Sequence, residues 1–563
     1  MKPQNLMLSL GCLLVVMSHA SAVDITVAPN GDDKSPGTTE RPVATLAMAQ
    51  VRARAAIAAG ERSVRVQVRP GTYRLTQTLR FTSEDVAING DTQWNGTDAI
   101  LTSGVPLTDW APVSPGTYAC AVPTGAPHRI SLARGDRAIP PSQWGPVAIT
   151  AVGTRLRLAQ GAPAVLGEPG AGEAVTIHAW GVCRAPAEIV SGTVLNSPGL
   201  SWSPVPELAP TPGMNLILEG VTEPGPGQWR LARGRRIELS VTDRPRDGEY
   251  VVPVLPTLLE IAGQPQAPVR HLTISGFQVR HAAWPRSASG VAGIQAGHVG
   301  FGGDPEAVGA LPAAVLITWA ENVTVERLLV QAVEASGIAL GAGCRAVRVS
   351  HCSVEDAGGC GIVVGWRGES LRELSADWDD PQDVLRSNII ERCRVTRCAR
   401  LDWGSVGIIA LFARDTKILS NLIEEMPYTG LALGFRWDTS ATSQRGTHVE
   451  GNHIRNVMRR LVDGAGIYTL GWQPGSFITG NLIEGIGATP GWTPPAGAPA
   501  GGLFFDNGSK GLCVENNVIG NVRGEPLRFN GCAPSWLLLG DNTVVPEGKP
   551  IPRPATIAEG VGP

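Results

Sequence analysis

The sequence is short of charged and of aromatic side chains. Among its 563 residues, 17% are charged and 5% are aromatic, and the formal net charge at pH 7 is −3. It has no block of basic residues, so nothing in the composition indicates binding to nucleic acid. It also has no apolar run long enough to cross a bilayer. We therefore expect neither a nucleic-acid partner nor a membrane span.

The sequence also lacks cysteine pairs. Ten cysteines occur, and without the one in the N-terminal leader described below an odd number remains, with no C-x-x-C spacing. We predict no disulfide framework, no zinc site, no other bound metal and no cofactor. Several cysteines fall in or beside a sequence repeat and are expected to be small core residues. These are Cys344, Cys352, Cys360, Cys393 and Cys398.

The N-terminus has the pattern of a secretory leader. Lys2 precedes an apolar run from Leu6 to Met17, and Ala20-Ser21-Ala22 supplies the small residues typical of a cleavage site. The run is too short for a membrane span. We expect residues 1–22 to be removed and the mature protein to be periplasmic or secreted.

The most abundant feature is a repeated phrase. From about residue 269 to residue 545, short segments in which Val, Ile or Leu occupies every second position are followed by a polar corner and a glycine. An example is NVTVERLLVQAVEASGIAL at 322–340. Period-two alternation predicts strands, and recurrence every roughly 22 to 36 residues predicts a solenoid. We predict an all-β fold, a right-handed parallel β-helix with stacked amides at one corner. The amides are those of Asn388, Asn421, Asn452, Asn481 and Asn517.

The domain boundaries follow this phrase. Residues 23–105 contain an Ala/Arg-rich helix from about Ala44 between alternating segments, which predicts an N-terminal helical cap and the first coils. The phrase is missing from 106–262, where Pro-rich connectors separate short strands and predict an inserted β-sandwich-like module. Residues 263–545 form the β-helix that carries the active site, and 546–563 are expected to be a loosely ordered tail. Loops at 367–385 and 488–500 interrupt the repeat and are expected to form binding surfaces.

Two segments break the repeat with carboxylates. Asp463 precedes a strand in DGAGIYTLG, and Asp506 follows one in FFDNGS. Glycoside hydrolysis needs such a pair, with one carboxyl as acid and the other as base or nucleophile. The same letters are common in turns, so a turn role stays open.

The spacing of the two aspartates raises a geometric question. Aligning the glycine before each strand places Asp506 opposite Leu470, seven positions after Asp463. On an extended strand this offset corresponds to about 20 Å. Either the chain bends at a corner or another carboxylate replaces one of the pair. The nearby alternatives are Glu424, Glu425, Asp438 and Asp402.

Aromatic residues are concentrated in the repeat region. Eight of the fifteen tryptophans lie between residues 284 and 492, and aromatic faces suit a groove that holds sugar rings. We predict substrate contacts from several side chains, each with corner packing as its alternative role. They are Gln295, Tyr428, Trp437, Tyr468 and Trp472.

Taken together, these segments resemble the right-handed β-helix glycoside hydrolases of family 141. The resemblance covers nearly all of the mature chain in order. It rests on TVAPNGDDKSPGTTERPVATLAMAQ, EPGPGQWRLA, GFQVRHAAW followed by GIQAG, MPYTGLALGFRWD, DGAGIYTLG and FFDNGS. It implies a secreted enzyme acting on plant cell-wall glycans, of the α-L-fucosidase or xylanase type, with Asp463 and Asp506 as its catalytic aspartates.

One position departs from the pattern of that family. Similar proteins carry Asp-Glu-Gly-Ser at the second motif, whereas this chain has Asn507 in place of the glutamate. Loss of a neighbouring negative charge would favour the charged form of Asp506 and a role as base.

Two other functions stay open. A β-helix polysaccharide lyase would need a Lys or Arg base, and between 387 and 531 the only lysines are Lys417 and Lys510. Such an enzyme commonly uses calcium against a uronate, for which the acidic loop at 369–383 is a candidate. A non-catalytic surface β-helix would need no paired carboxylates. We expect an oligosaccharide or polysaccharide as the partner, and a monomer.

Overall fold

A computed structural model of the chain describes residues 22–151, 156–159, 172–191, 194–196, 214–286, 290–301, 308–309, 311–366 and 382–557. The predicted leader and most of the acidic loop at 367–385, with Trp378, lie outside the described residues. Among the helices of these ranges, none is long and apolar enough to span a membrane.

Three long parallel sheets dominate the structure, and the chain visits them in the order A, B, C in each coil. Sheet A consists of Val23–Val27, Ser63–Val68, Asp91–Asn95, Leu272–Ser275, Thr324–Glu326, Arg348–Ser350, Ile389–Glu391, Lys417–Leu419, His448–Glu450, Trp472–Thr479, Lys510–Glu515 and Leu538–Leu539. Sheet B consists of Gly71–Arg74, Ala99–Thr102, Gln278–Arg280, Leu329–Gln331, Ser353–Glu355, Arg394–Thr396, Leu422–Glu424, His453–Arg455, Leu482–Ile486, Val518–Val522 and Thr543–Val545. Sheet C consists of Leu79–Phe81, Leu259–Ala262, Ala313–Thr318, Ser336–Gly341, Ile362–Trp366, Ile408–Ala410, Leu431–Leu433, Ala465–Thr469, Ala500–Phe505 and Gly524–Phe529. The predicted all-β parallel solenoid is confirmed.

The core follows from the register of these sheets. In sheet C, Leu431 pairs with Ile467 and Ile467 with Leu503, and all three side chains are fully buried. Because parallel strands in register place equivalent residues on one face, each coil adds another apolar side chain to the same row. This is why the Val/Ile/Leu positions recur in the sequence.

Stacked amides line the corner before sheet B. The Nδ2 group of Asn421 donates to Oδ1 of Asn452 at 2.9 Å, Asn452 to Asn481 at 3.0 Å, Asn481 to Asn517 at 2.9 Å, and Asn517 to Asn542 at 2.8 Å. We call these five residues the asparagine ladder. In this corner the amides also bond buried turn backbone that water cannot reach.

The prediction that Asn388 belongs to this ladder is wrong. Asn388 precedes a strand of sheet A, where its amide accepts from the backbone of Val347 and donates to that of Cys344. Its place at the end of the ladder is taken by Cys393, whose backbone N–H donates to Oδ1 of Asn421. The same sequence pattern, an asparagine two residues before an Ile or Val, precedes strands in two different sheets.

The N-terminal end is covered by an α-helix, Leu46–Ala58. Thr45 caps its first turn by accepting a hydrogen bond from the backbone of Met48. Leu46, Ala49 and Ala53 are buried against the first strands of sheet A. A 3₁₀ turn, Ser83–Asp85, is tied to the same helix by an ion pair with Arg54.

Antiparallel sheets form an insertion that packs on the solenoid. The largest contains Glu188–Ser191, Val194–Asn196, Leu156–Leu158, Gln143–Ala151, Asn215–Glu219, Glu173–Ile177, Val182–Pro186, Val291–Ile294, His298–Phe301 and Val308–Gly309, in that order. Two further sheets have four strands each. One contains Trp229–Ala232, Arg236–Ser240, Thr117–Ala121 and Ala111–Ser114. The other contains Arg137–Ile139, Leu132–Arg134, Val251–Val252 and Val105–Pro106. A pair, Val269–Arg270 with Ala320–Glu321, is parallel.

The insertion differs from the predicted range of 106–262 at its C-terminal side. Leu259–Ala262 already belongs to sheet C, where it pairs with strands of the preceding and following coils. Strands between Val291 and Gly309 leave the solenoid and extend the antiparallel sheet. They lie within the range predicted as β-helix because copies of the repeat stand on both sides of them in the sequence.

A buried cluster of charges fixes the insertion to the solenoid. Nη1 of Arg184 lies 2.7 Å from Glu219 and 3.1 Å from Glu173, and its Nε donates to the carbonyl of Leu401 at 2.7 Å. Removing one member of a buried cluster leaves an uncompensated charge, which costs about 3–5 kcal/mol. This anchor holds the strand Val182–Pro186, which pairs with Val291–Ile294, against the Leu401 segment of the solenoid.

The C-terminal tail also differs from the prediction of a loosely ordered segment. Ile551 and Ile557 pack with Leu482, Val518 and Val545 on the outside of sheet B. The hydroxyl of Thr556 donates to the carbonyl of Gly480 at 2.6 Å. These two apolar residues cover an outer face that the last coils would otherwise expose.

Candidate active site

The outward face of sheet C changes character in its last three coils. One row of this face begins with Arg80 and Glu260, which pair in register and form an ion pair at 3.4 Å. It continues through residues that are apolar and buried beneath the insertion, namely Leu316, Ala339, Val363, Ile409 and Ala432. In the last three coils the row becomes Tyr468, Phe504 and Arg528, which pair in register. We call these three residues the Tyr468 row.

The Tyr468 row is a packed unit. The rings of Tyr468 and Phe504 meet edge to face, with centroids 5.1 Å apart. The guanidinium of Arg528 lies 3.8 Å from the centroid of the Phe504 ring. Edge-to-face rings and a cation over a ring both restrict side-chain motion. The row is therefore a rigid floor between two carboxylates.

Asp506 lies at one end of this floor, directly after the strand Ala500–Phe505. Its Oδ2 accepts the hydroxyl proton of Tyr468 at 2.5 Å, and its Oδ1 accepts from Nδ2 of Asn530 at 2.7 Å. The residue is 2% exposed. An ionised carboxylate only accepts hydrogen bonds, and this pair of donors suits that form.

Asp463 lies at the other end, in the turn that leads into the strand Ala465–Thr469. Its φ of 57° is in the left-handed region, which is strained for a residue with a side chain. The carbonyl of Asp463 holds this conformation by accepting from the hydroxyl of Tyr428 at 2.7 Å and from Nε2 of Gln295 at 3.0 Å. Its amide donates to the carbonyl of Ala498 at 2.9 Å. Three different segments thus fix one turn.

The carboxyl group of Asp463 faces a cation. Its Oδ1 lies 2.8 Å from Nη2 of Arg528, and the side chain is 18% exposed. Burial raises the pKa of Asp463, and the negative charge of Asp506 adds to the increase. The hydrogen bond from Arg528 and the positive charge of Arg528 lower the same pKa. The net effect is a raised pKa of Asp463.

The offset of seven positions between the two aspartates is present in the structure. Thr469 pairs with Phe505, so Asp506 follows at the level of Leu470. The two carboxyl groups nevertheless belong to one cluster. Burial raises the pKa values of Tyr428 and Tyr468 well above the ordinary range, and the charges of both aspartates add to each increase.

The predicted substrate contacts separate into two groups. Gln295, Tyr428 and Tyr468 touch the aspartates directly, but both tyrosines are fully buried. They therefore serve as hydrogen-bond donors to the pair and not as open platforms. Trp437 and Trp472 touch neither aspartate in the described contacts.

Of these two tryptophans, Trp437 has the more exposed ring, with 38% of its surface accessible. It packs near Phe435, at 5.1 Å between centroids, and near His298, at 6.3 Å. Burial lowers the pKa of His298 to about 3, so this imidazole is neutral. Trp472 instead pairs with Lys510 where two neighbouring strands of sheet A begin, with the ammonium 5.9 Å from its ring.

The alternative carboxylates have other partners. Glu424 lies between two arginine side chains at 2.8 and 2.7 Å, and Glu425 is paired with a third at 2.6 Å. Asp438 is exposed and accepts from a neighbouring backbone N–H at 2.7 Å. Asp402 is buried under the insertion and accepts from the Ser405 hydroxyl at 2.7 Å. None of the four shares a described contact with the Tyr468 row.

Three functional candidates were missed by sequence reasoning. Arg528 and Asn530 carry no local motif that separates them from the residues around them. Phe504 begins the FFDNGS segment, but nothing in the sequence marks it as more than a strand residue. Their role follows from parallel register, which brings Arg528 beside Phe504, and from the turn after the last strand of sheet C, which brings Asn530 to Asp506. Asn507 packs against Gly531, where an added Cβ would come within 1.8 Å of its Oδ1.

Comparison with known proteins supports the fold. Neither a protein-family model nor a curated protein sequence matches this chain. A solved structure described as a glycoside hydrolase has a TM-score of 0.80 at 22% identity, covering 94% of this chain and 97% of that chain. A complex of XylC with xylose has a TM-score of 0.49 at 12% identity, covering 93% and 86%. At 22% identity the first similarity shows a shared fold and leaves the activity to be argued from the site.

Proposed function

We propose that this protein is a secreted glycoside hydrolase that uses Asp463 and Asp506 as its acid and base pair. The observation that carries the proposal is the cluster itself. Two carboxylates lie at opposite ends of one rigid row, on a face that is apolar and buried in the five coils before that row. Asp506 is buried and accepts from Tyr468 and Asn530. Asp463 is bonded to Arg528 of the same row, and Tyr428 and Gln295 donate to its backbone carbonyl.

The environments of the two aspartates favour different roles. Asp463 has a raised pKa, which suits the proton donor to the leaving oxygen. Asp506 accepts two hydrogen bonds from Tyr468 and Asn530, which suits a charged base or nucleophile. Gln295 and Tyr428 keep the Asp463 turn in its left-handed conformation, so the donor is preorganised.

The proposed substrate is a plant cell-wall glycan with an α-L-fucoside or xylan-type linkage. This finer assignment rests on the sequence resemblance to family 141, and the solved structure described as a glycoside hydrolase agrees with it in fold. Trp437, with its exposed ring beside the neutral His298, is the proposed contact for a sugar face.

Lyase chemistry fits the site less well. A lyase needs a free basic group to remove a proton next to a uronate carboxylate. The cation at this site, Arg528, is bonded to Asp463 at 2.8 Å and to the carbonyl of Pro499 at 2.8 Å. Lys510 lies over Trp472 on sheet A. The carboxylate pair therefore favours hydrolysis.

A substrate screen tests the proposal. The purified protein is incubated with aryl α-L-fucoside, aryl xyloside, xylan, pectic fragments and a uronate polymer, with and without chelator. New reducing ends without ultraviolet absorbance support hydrolysis, whereas absorbance from an unsaturated uronate would establish a lyase. No product from any substrate would leave a binding protein as the better description.

A further inference from the structure

We infer that Arg528 is a positioning residue that orients the carboxyl group of Asp463 and offsets the effect of its burial. This inference rests on the proposed function for its catalytic consequence, but the coupling between the two side chains can be measured without any substrate. Arg528 is far from Asp463 in sequence and belongs to the last strand of sheet C, Gly524–Phe529.

Three contacts immobilise the guanidinium. Its plane lies over the Phe504 ring at 3.8 Å, Nη1 donates to the carbonyl of Pro499 at 2.8 Å, and Nη2 bonds Oδ1 of Asp463 at 2.8 Å. The side chain is only 7% exposed. A guanidinium held in this way presents a fixed N–H to one carboxylate oxygen, whereas a flexible cation would not.

The same arrangement leaves the other carboxylate oxygen available. Oδ2 of Asp463 is 3.4 Å from Nε2 of Gln295, a longer and weaker contact. Since one oxygen is bonded to Arg528 and the other is not, a proton on Asp463 is directed to Oδ2. The acid proton of the proposed reaction would therefore leave from Oδ2.

The charges around Asp463 define what a substitution should do. Asp506 is the anion that acts on it, and the phenols of Tyr428 and Tyr468 are uncharged because burial raises their pKa values well above the ordinary range. Arg528 is the cation that opposes burial and Asp506 together. Without Arg528, burial and the charge of Asp506 would raise the pKa of Asp463 unopposed. An arginine beside an aspartate typically lowers the pKa of the aspartate by about 1–3 units, so the increase should be of this size.

The activity test compares Arg528→Met with Arg528→Lys. For Arg528→Met we expect a lower kcat and a basic limb of the pH-rate profile moved to higher pH by about 1–3 units. Arg528→Lys keeps the charge and should restore the position of that limb in large part, with a lower rate because the fixed geometry is lost. A basic limb that stays in place in Arg528→Met would overturn the inference.

The second test needs no activity. A carboxyl group with a raised pKa in the folded state contributes stability at low pH, and this stability is lost as pH rises through the folded pKa. In Arg528→Met the melting temperature should therefore fall more steeply from pH 4 to pH 8 than in the wild type. The double variant Arg528→Met/Asp463→Asn should lose this extra slope, because no ionisable group remains at position 463.

The two tests separate the two ideas. If no substrate is hydrolysed but the extra slope appears and disappears as described, the coupling stands and the proposed function fails. Equal slopes in Arg528→Met and in the double variant would overturn the coupling. Should Arg528→Met fail to fold, Phe504→Leu provides the same comparison, because it removes the ring that fixes the guanidinium and should shift the limb in the same direction by less.

Discussion

Replacing Asn452 by alanine should destabilise the protein strongly, because this residue stands in the middle of the asparagine ladder and is fully buried. Its Oδ1 accepts from the backbone N–H and the side-chain amide of Asn421, and its Nδ2 donates to the carbonyl of Ile418 at 2.8 Å. Alanine removes all of these bonds. The Asn421 amide keeps another acceptor in Ile390.

The expected magnitude follows from the groups left without partners. The backbone N–H of Asn421 and the carbonyl of Ile418 lose the side-chain partner that Asn452 supplies, in a corner closed to water. At about 1–3 kcal/mol for each buried unsatisfied group, Asn452→Ala should cost roughly 2–6 kcal/mol of unfolding free energy.

Asn542 provides a matched control at the C-terminal end of the ladder. It makes equivalent bonds to Asn517 and to the carbonyl of Val514, but it is partly exposed. Water can replace the lost partners, so Asn542→Ala should cost on the order of 1 kcal/mol. Urea unfolding followed by tryptophan fluorescence measures both variants, and their midpoints are compared at similar slopes. Equal losses in the two variants would refute the argument that burial of the ladder decides its contribution.

Three further predictions concern the candidate site and its surroundings. Tyr468→Phe removes the hydroxyl bonded to Asp506 and should lower kcat by about 10- to 100-fold with the fold retained, which rate assays and circular dichroism together would show. Burial raises the pKa of Asp402 to about 6, so the stability that this carboxyl group contributes at low pH is lost as pH rises from 3.8 to about 6. Asp402→Asn should therefore remove a pH dependence of the unfolding free energy worth about 3 kcal/mol. Urea midpoints between pH 4 and pH 7 measure this change. Asn507→Glu places a negative charge beside Asp506 and should move the acidic limb of the pH-rate profile to higher pH, and an unchanged profile would speak against an electrostatic role for this position.

The solenoid could be predicted from sequence because its physics is periodic. Each coil buries its residues against the coils before and after it, so the same positions must be apolar in every repeat. The mistaken placement of Asn388 shows the limit of this reasoning. An asparagine two residues before an Ile or Val bonds corner backbone both before sheet A and before sheet B, and only the three-dimensional register distinguishes the two corners.

The candidate site was predictable only in part. Asp463 and Asp506 interrupt the repeat and are therefore visible in the sequence. Arg528 is an ordinary strand residue, and it becomes significant only because parallel pairing places it on Phe504 and beside the Asp463 turn. Gln295 reaches the same turn from the insertion, whose position over sheet C depends on tertiary packing that no local pattern records.

The most direct test of the account is the rate of glycoside hydrolysis by Asp463→Asn and Asp506→Asn, measured on the best substrate from the screen. Asp438→Asn, which removes an exposed carboxylate from a nearby loop, is the matched control. We predict that each of the first two variants loses about 10²- to 10⁴-fold in kcat with the fold retained by circular dichroism, while the control keeps its rate. Wild-type rates in either Asp463→Asn or Asp506→Asn would contradict the assignment of these two residues as the catalytic pair.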